Sequence, residues 1–178
     1  MKQEILASVV HCLSGGVTLD SNLLLLLLVG DVLPARLGSH KRLNIFIPPD
    51  YERLKEVLSP TNGNIVVTDT VLAETSNFLG QSLSDEETSE VRKYLMQSIS
   101  IGQFVYRAVP IPILASIPSI DEVRRFGIAD AALIALARTG CLIITVDGGL
   151  AIHIERTIGP FSLNYNHFRC TEDGDDNW

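Results

Sequence analysis

The sequence feature that most constrains the fold is a run of seven consecutive apolar residues, Leu23 to Val29. As a helix this run would be apolar on every side, so other elements must cover it all around. It is far shorter than the roughly 20 residues that a helix needs to cross a bilayer. We therefore predict a buried core helix and no membrane span. The alternative for these leucines is a dimer face, which would make the protein a homodimer.

The length of the chain, 178 residues, suits one domain with a sizeable core and is short for two. With 46% apolar and 20% charged residues, the composition is that of a packed globular protein. We predict a single domain over residues 1–170 and a frayed acidic tail over residues 171–178.

The first residues show helical spacing of Ile5, Val9 and Leu13 and then a stop at Gly15 and Gly16. This stretch lacks the long apolar core and the cleavage site of a secretory signal. We predict an N-terminal helix and a cytoplasmic location.

Charge and cysteine content argue against two other classes of protein. A net charge of −7 is the wrong sign for a protein that grips nucleic acid through its overall field. It remains compatible with an enzyme whose acidic residues surround bound cations. The three cysteines, Cys12, Cys141 and Cys170, are odd in number and lack CxxC spacing, so they indicate neither a disulfide framework nor a zinc site.

Short apolar segments alternate with helical patterns along the chain, which predicts an α/β fold with a mainly parallel sheet. The predicted strands are Val17–Leu19, Ile65–Thr68, Gln103–Val109, Cys141–Val146 and Phe161–Phe168. Helix starts are predicted at Asp20 or Ser21, at Pro48, at Asp69 or Thr70, at a capping box over Ser84–Glu87, near Asp130 and near Leu150.

Four acidic residues follow these strands at the positions where an open parallel sheet binds ligands. Asp20 and Asp147 come directly after predicted strands, Glu74 lies one turn into the helix after the second strand, and Asp130 begins a helix. Ligands of parallel sheets bind beyond the carboxyl ends of the strands. All four side chains can therefore converge on one edge.

Carboxylates gathered in one cleft raise each other's pKa values unless cations neutralise them. Oxygen ligands without histidine or cysteine partners select Mg²⁺ or Mn²⁺ over zinc or copper. Such ions activate water and stabilise charge on a phosphodiester. The pattern thus predicts a divalent metal site that cuts a phosphodiester bond.

Four motifs together resemble those of PIN-domain ribonucleases, in the order that the family has them. They are Asp20-Ser21-Asn22-Leu23-Leu24, Val71-Leu72-Ala73-Glu74, Asp130-Ala131-Ala132-Leu133-Ile134-Ala135-Leu136-Ala137 and Ile144-Thr145-Val146-Asp147. The resemblance covers roughly residues 17–168 and is most specific in the two C-terminal motifs.

The resemblance implies a three-layer α/β/α sandwich and Mg²⁺- or Mn²⁺-dependent cleavage of RNA. It also implies that Asn22 and Thr145 support the metal ligands. VapC-like toxins of toxin–antitoxin pairs belong to this family, so an antitoxin or another protein regulator is an implied partner. The chain differs from the compact toxins by its predicted N-terminal helix and by the long stretch between Leu79 and Ile128.

Each carboxylate also has a structural interpretation. Asp20 and Asp130 suit helix caps, Glu74 a solvated helix residue and Asp147 the first residue of a turn. The functional alternative is a catalytically weak PIN-like scaffold that binds RNA or protein partners. A dehalogenase-type phosphatase or receiver would need a DxD motif after the first strand, which Asp20-Ser21-Asn22 does not supply.

Overall fold

The structure is a computed structural model that describes residues 15–61, 64–110 and 119–170. The predicted N-terminal helix and acidic tail lie outside these residues. Within them, the chain forms a five-stranded sheet and seven α-helices.

All pairings in the sheet are parallel, and the strand order is β3-β2-β1-β4-β5. The strands are β1 (Val17–Leu19), β2 (Ile65–Val67), β3 (Phe104–Tyr106), β4 (Leu142–Thr145) and β5 (Ser162–Asn164). The central strands β1, β2 and β4 are wholly buried, which explains why they read as continuous apolar runs. The prediction of an α/β fold is confirmed, and the sheet is parallel throughout.

Helices surround the sheet in a three-layer α/β/α arrangement. They are α1 (Ser21–Val32), α2 (Pro48–Leu58), α3 (Asp69–Leu79), α4 (Asp85–Ser100), α5 (Ser119–Phe126), α6 (Ile128–Ala137) and α7 (Gly148–Thr157). Short 3₁₀ helices occupy Pro34–Arg36, Ser59–Thr61 and Tyr165–His167. Among the described helices, none combines the length and the apolar character needed to cross a membrane.

The leucine-rich helix α1 lies in the centre of the core and packs against α2, α3 and α4. Its residues from Leu23 to Val29 are at most 5% exposed. The prediction of a buried core helix is confirmed. The dimer-face alternative for these leucines is wrong, because the chain's own helices cover them.

Two of the predicted helix caps are wrong. Helix α3 is capped by Thr68, whose hydroxyl accepts from the Val71 amide at 3.2 Å, and not by Asp69 or Thr70. The β-branched Thr68 extends the run of the preceding strand and so hides its capping role. Helix α6 begins after Gly127, which adopts a φ of 91°, so the capping interpretation of Asp130 is wrong.

The starts of α1 and α4 agree with the sequence, whereas α7 begins two residues before the predicted start near Leu150. Asp20 caps α1 and the Ser84–Glu87 capping box opens α4. Asp147 caps α7, so the two glycines after it are the first residues of that helix and not a turn. Helix α5 was not predicted, since its eight residues span only two turns.

Candidate metal centre

The direction of the chain changes at β1, which defines a crevice at the carboxyl ends of β1 and β4. From β1 the chain proceeds to β2 and β3 on one side, and it later returns to form β4 and β5 on the other. Ligands of open α/β sheets bind at such a switch point. Asp20 directly follows β1, and Asp147 lies two residues beyond the end of β4. The topology therefore places Asp20 on one side of this crevice and Asp147 on the other.

The Asp20 carboxylate is 5% exposed and is held by three hydrogen-bond donors. Its Oδ1 accepts from the Leu23 amide at 2.8 Å. Its Oδ2 accepts from the Thr145 hydroxyl at 2.6 Å and from the Val146 amide at 2.7 Å. Burial raises the pKa of the Asp20 carboxyl, and these hydrogen bonds oppose that rise because they favour the ionised form. The bonds fix the carboxylate across β1 and β4.

Thr145 connects Asp20 to Asp147. Besides donating to Asp20, its hydroxyl accepts from the Asp147 amide at 2.9 Å. The Asp147 Oδ1 in turn accepts from the amides of Gly149 at 2.7 Å and Leu150 at 3.0 Å. The side chain of Asp147 is therefore oriented at the start of α7, where the helix dipole favours a negative charge. Thr145 thus links two of the candidate ligands, and its support of a metal ligand stays a prediction.

Glu74 reaches the crevice from α3 and contacts the residue that follows Asp20. The Ser21 hydroxyl donates to the Glu74 Oε2 at 2.6 Å. The two helices pack closely here, since the Thr75 hydroxyl donates to the Ser21 carbonyl at 3.4 Å. Glu74 is half-buried and is not the solvated surface residue of the structural interpretation.

Asp130 is the candidate ligand whose pKa depends on the charges of the other three. It lies in the first turn of α6 and is half-buried. Burial, and then the charges of Asp20, Asp147 and Glu74, raise the pKa of Asp130 to about 7. Three carboxylates from three other parts of the chain therefore lie within electrostatic range of the fourth.

The four carboxylates have the donor chemistry that a hard divalent cation requires. Between described residues, none of them forms an ion pair with lysine, arginine or histidine, and the Asp130 carboxyl accepts no hydrogen bond. In the same ranges, no group of three or more acidic, histidine or cysteine side chains is arranged so that it could hold a metal ion. Negative charge accumulates here without a protein counter-charge, and Mg²⁺ or Mn²⁺ would supply one.

Asn22 is the predicted supporting residue with the least evidence. It is half-buried in the first turn of α1, and its backbone amide helps to stabilise the charged form of Asp20. Within the described residues its side chain makes no hydrogen bond. The role of Asn22 toward a metal ligand stays a prediction.

No family model, curated protein or solved structure matches this chain. The resemblance to PIN-domain ribonucleases accordingly rests on the motif residues themselves. The structure adds that Asp20 follows β1, that Asp147 follows β4 and that Glu74 accepts a hydrogen bond from the neighbour of Asp20.

Sequence reasoning missed Ser21 and Asn166 as neighbours of the candidate ligands. Ser21 donates to Glu74, and the Asn166 side chain donates to the Val146 carbonyl at 2.6 Å. The first bond joins residues 53 positions apart in the chain, and the second joins residues 20 positions apart. The position of Ser21 directly after Asp20 was the only signal in the sequence.

The raised pKa of Asp130 predicts that this residue destabilises the metal-free protein at alkaline pH. Its folded pKa of about 7 lies above the ordinary value of 3.8. The carboxyl therefore costs nothing at pH values below 3.8, and its cost grows as the pH rises toward 7 and is complete above that. After a discount for partial exposure, we expect Asp130→Asn to stabilise the EDTA-treated protein by roughly 1–2 kcal/mol at pH 8.

Thermal unfolding in EDTA at two pH values tests this prediction. The melting temperature of Asp130→Asn should exceed that of the parent by roughly 2–8 °C at pH 8, and the difference should vanish near pH 4. A variant that melts well below the parent at pH 8 would instead identify Asp130 as a structural residue of α6.

Proposed function

We propose that this protein is a metal-dependent endoribonuclease that uses Asp20, Glu74, Asp130 and Asp147 to hold Mg²⁺ or Mn²⁺. The observation that carries the proposal is that burial, and then the charges of the other three carboxylates, raise the pKa of Asp130 to about 7. A carboxyl perturbed by burial and by named charges, at a sheet switch point, marks a candidate functional site.

The residues of the chain divide the work of such a site. Asp20 is held rigidly by Thr145 and by two backbone amides, so it offers a fixed ligand at the base of the crevice. Glu74 and Asp147 each have one carboxylate oxygen that accepts no hydrogen bond from the described residues, and that oxygen is free to bind a cation. Asp130 is ionised only in part near neutral pH, and a bound cation favours its charged form. A bound Mg²⁺ or Mn²⁺ supplies Lewis-acid activation of water and of the phosphodiester.

The net charge of the protein is consistent with a polyanionic substrate that binds only where the cation is bound. With a net charge of −7, the overall field repels a polyanion, while a cation at the crevice reverses the field locally. RNA as the substrate, an antitoxin or other protein as regulator and a cytoplasmic location extend the same proposal and rest on the motif resemblance.

Cleavage of a mixed RNA pool with and without EDTA tests the proposal. We expect cleavage in Mg²⁺ or Mn²⁺, loss of cleavage in EDTA and recovery when excess Mn²⁺ is added back, because the site offers only hard oxygen ligands. Equal cleavage in EDTA and in Mn²⁺ would contradict the metal mechanism.

Glu74→Gln, purified in the same way, controls for contaminating nucleases. The glutamine keeps an oxygen for the Ser21 hydroxyl but removes the charge, so the fold should persist while cleavage is lost. Glu155→Gln is the matched control, since Glu155 is exposed on α7 and makes no hydrogen bond or ion pair in the described residues. Failure of the parent to cleave any RNA despite Mn²⁺ binding would favour a PIN-like scaffold.

A further inference from the structure

The segment between β4 and α7, which carries Asp147, is hydrogen-bonded by a side chain from the segment after β5. The Asn166 Nδ2 donates to the Val146 carbonyl at 2.6 Å. The same Nδ2 donates to the Asn164 Oδ1 at 3.0 Å. Asn166 itself lies outside the four motifs, and its contacts join the segment after β5, at the edge of the sheet, to the fourth motif at the end of β4.

The chemistry of these partners determines the orientation of the Asn166 amide. Both partner atoms are carbonyl-type oxygens, which accept and cannot donate. Only the nitrogen of the amide can face them, so a flipped amide would lose both bonds. Asn166 therefore has a specific role as a donor toward the Val146 peptide.

Both the N–H group and the carbonyl group of Val146 form hydrogen bonds. Its N–H donates to the Asp20 Oδ2 at 2.7 Å, and its carbonyl accepts from Asn166. The carbonyl of Val146 and the amide of Asp147 belong to one peptide plane, and that amide donates to Thr145. The position of the Asp147 backbone relative to Asp20 thus depends on this chain of bonds.

We infer that Asn166 is a positioning residue for the metal centre, acting through the Val146 peptide on the separation of Asp20 and Asp147. The inference rests on the proposed function. Residues that orient metal ligands through hydrogen bonds contribute to metal affinity although they do not touch the metal.

A purely structural role for this side chain is weakly supported by the same contacts. The 3₁₀ helix after β5 is capped by Asn164, whose Oδ1 accepts from the Asn166 backbone amide at 3.1 Å. That bond survives removal of the Asn166 side chain. Asn166 is exposed, so water can replace its amide at the Val146 carbonyl. Loss of the Asn166 side chain should therefore change the position of the Val146–Asp147 peptide and leave the free energy of unfolding almost unchanged.

Calorimetric titration of the full-length protein with Mn²⁺ tests the inference. We expect Asn166→Ala to raise the Kd for Mn²⁺ roughly 10-fold. Its melting temperature in EDTA should stay within about 2 °C of the parent, as for other surface substitutions. Asn44→Ala is the matched control, because Asn44 is exposed and makes no hydrogen bond in the described residues. This control should bind Mn²⁺ like the parent.

The outcomes separate this inference from the proposed function. An Asn166→Ala variant that binds Mn²⁺ as tightly as the parent overturns the positioning role and leaves the metal site intact. A large loss of melting temperature in EDTA also overturns it, since the residue would then support the fold. A parent protein that binds no Mn²⁺ overturns the proposed metal centre and, with it, the inference.

Discussion

Asp20→Asn should lower the rate of RNA cleavage at saturating Mn²⁺ by at least about 100-fold, whereas Asp69→Asn should leave it unchanged. A catalytic metal contributes several kcal/mol to the barrier, and every ~1.4 kcal/mol corresponds to a factor of ten in rate. Asp20 is the buried carboxylate at the switch point, and its charge acts on Asp130. Cleavage rates of the two variants and the parent, measured on one RNA, test the assignment.

The hydrogen bonds of Asp20 impose a condition on this experiment. Both of its oxygens face donors, with the Leu23 amide on one side and Thr145 and the Val146 amide on the other. The NH₂ group of an asparagine must face one of these donors, which costs roughly 1–3 kcal/mol for an unsatisfied buried group. Rates should therefore be compared well below the melting temperature of the variant, with a folded fraction verified by circular dichroism.

Asp69 is the matched control because it resembles Asp20 in sequence context. Each residue comes shortly after a buried strand, with Asp20 as the cap of α1 and Asp69 as the first residue of α3. Asp69, however, is exposed, and its Oδ1 accepts only a 3.4 Å bond from the Val109 amide, which the oxygen of an asparagine can also accept. An inactive Asp69→Asn beside an active Asp20→Asn would show that the ligand assignment in the first half of the chain is wrong.

Gly30→Ala should produce the largest loss of stability among conservative substitutions in α1. A Cβ at this position would lie 2.2 Å from the Tyr51 Cδ2 and 2.4 Å from its Cε2. The Tyr51 ring cannot easily move away, because its hydroxyl donates to Asp31 at 2.6 Å. Overpacking of a core costs about 1–3 kcal/mol and occasionally more, against a gain in helix propensity of up to ~1 kcal/mol. We expect a net loss of about 2 kcal/mol, or roughly 4–8 °C in melting temperature.

Gly38→Ala provides the control for Gly30→Ala. A Cβ at Gly38 meets no heavy atom within 4 Å, so this variant should melt with the parent. If Gly30→Ala is as stable as Gly38→Ala, then α1 and α2 do not pack as closely as the structure indicates. The result bears on the metal centre, since α1 carries Asp20 as its N-cap.

The strands and the central helix were predictable because their signals are local. Val17–Leu19 and Leu142–Thr145 are short buried runs of apolar and β-branched residues, and each is followed by an acidic residue that caps a helix. The leucine run makes α1 apolar on all sides, so other elements must cover this helix all around. Placement of Asp20 and Asp147 at one edge of the sheet followed from these elements.

Other features depend on partners that are distant in the chain, and no local pattern reveals them. The wholly buried Asp50 accepts from the Cys170 amide at 2.9 Å, across 120 positions. Glu122 lies in helix α5, which was not predicted. Its Oε1 accepts a hydrogen bond from the Arg138 guanidinium at 2.5 Å and lies 3.1 Å from the His153 Nε2. This contact gives His153 a structural partner.

The start of α6 explains why the interpretation of Asp130 as a helix cap is wrong. An acidic residue at a helix start favours a cap, but Gly127 with its positive φ already begins the helix. Asp130 consequently falls in the first turn, where its side chain meets the charges of the other three carboxylates. The functional interpretation of this residue stays a prediction.

A crystal structure of the protein grown with Mn²⁺ tests the central claim most directly, because anomalous scattering locates the ion independently of the side chains. We predict a peak at the carboxyl ends of β1 and β4, within coordination distance of oxygens from Asp20 and Asp147, with Glu74 and Asp130 completing or flanking the site. Full Mn²⁺ occupancy at another place, or no peak at this edge while the four carboxylates point apart, would contradict the account.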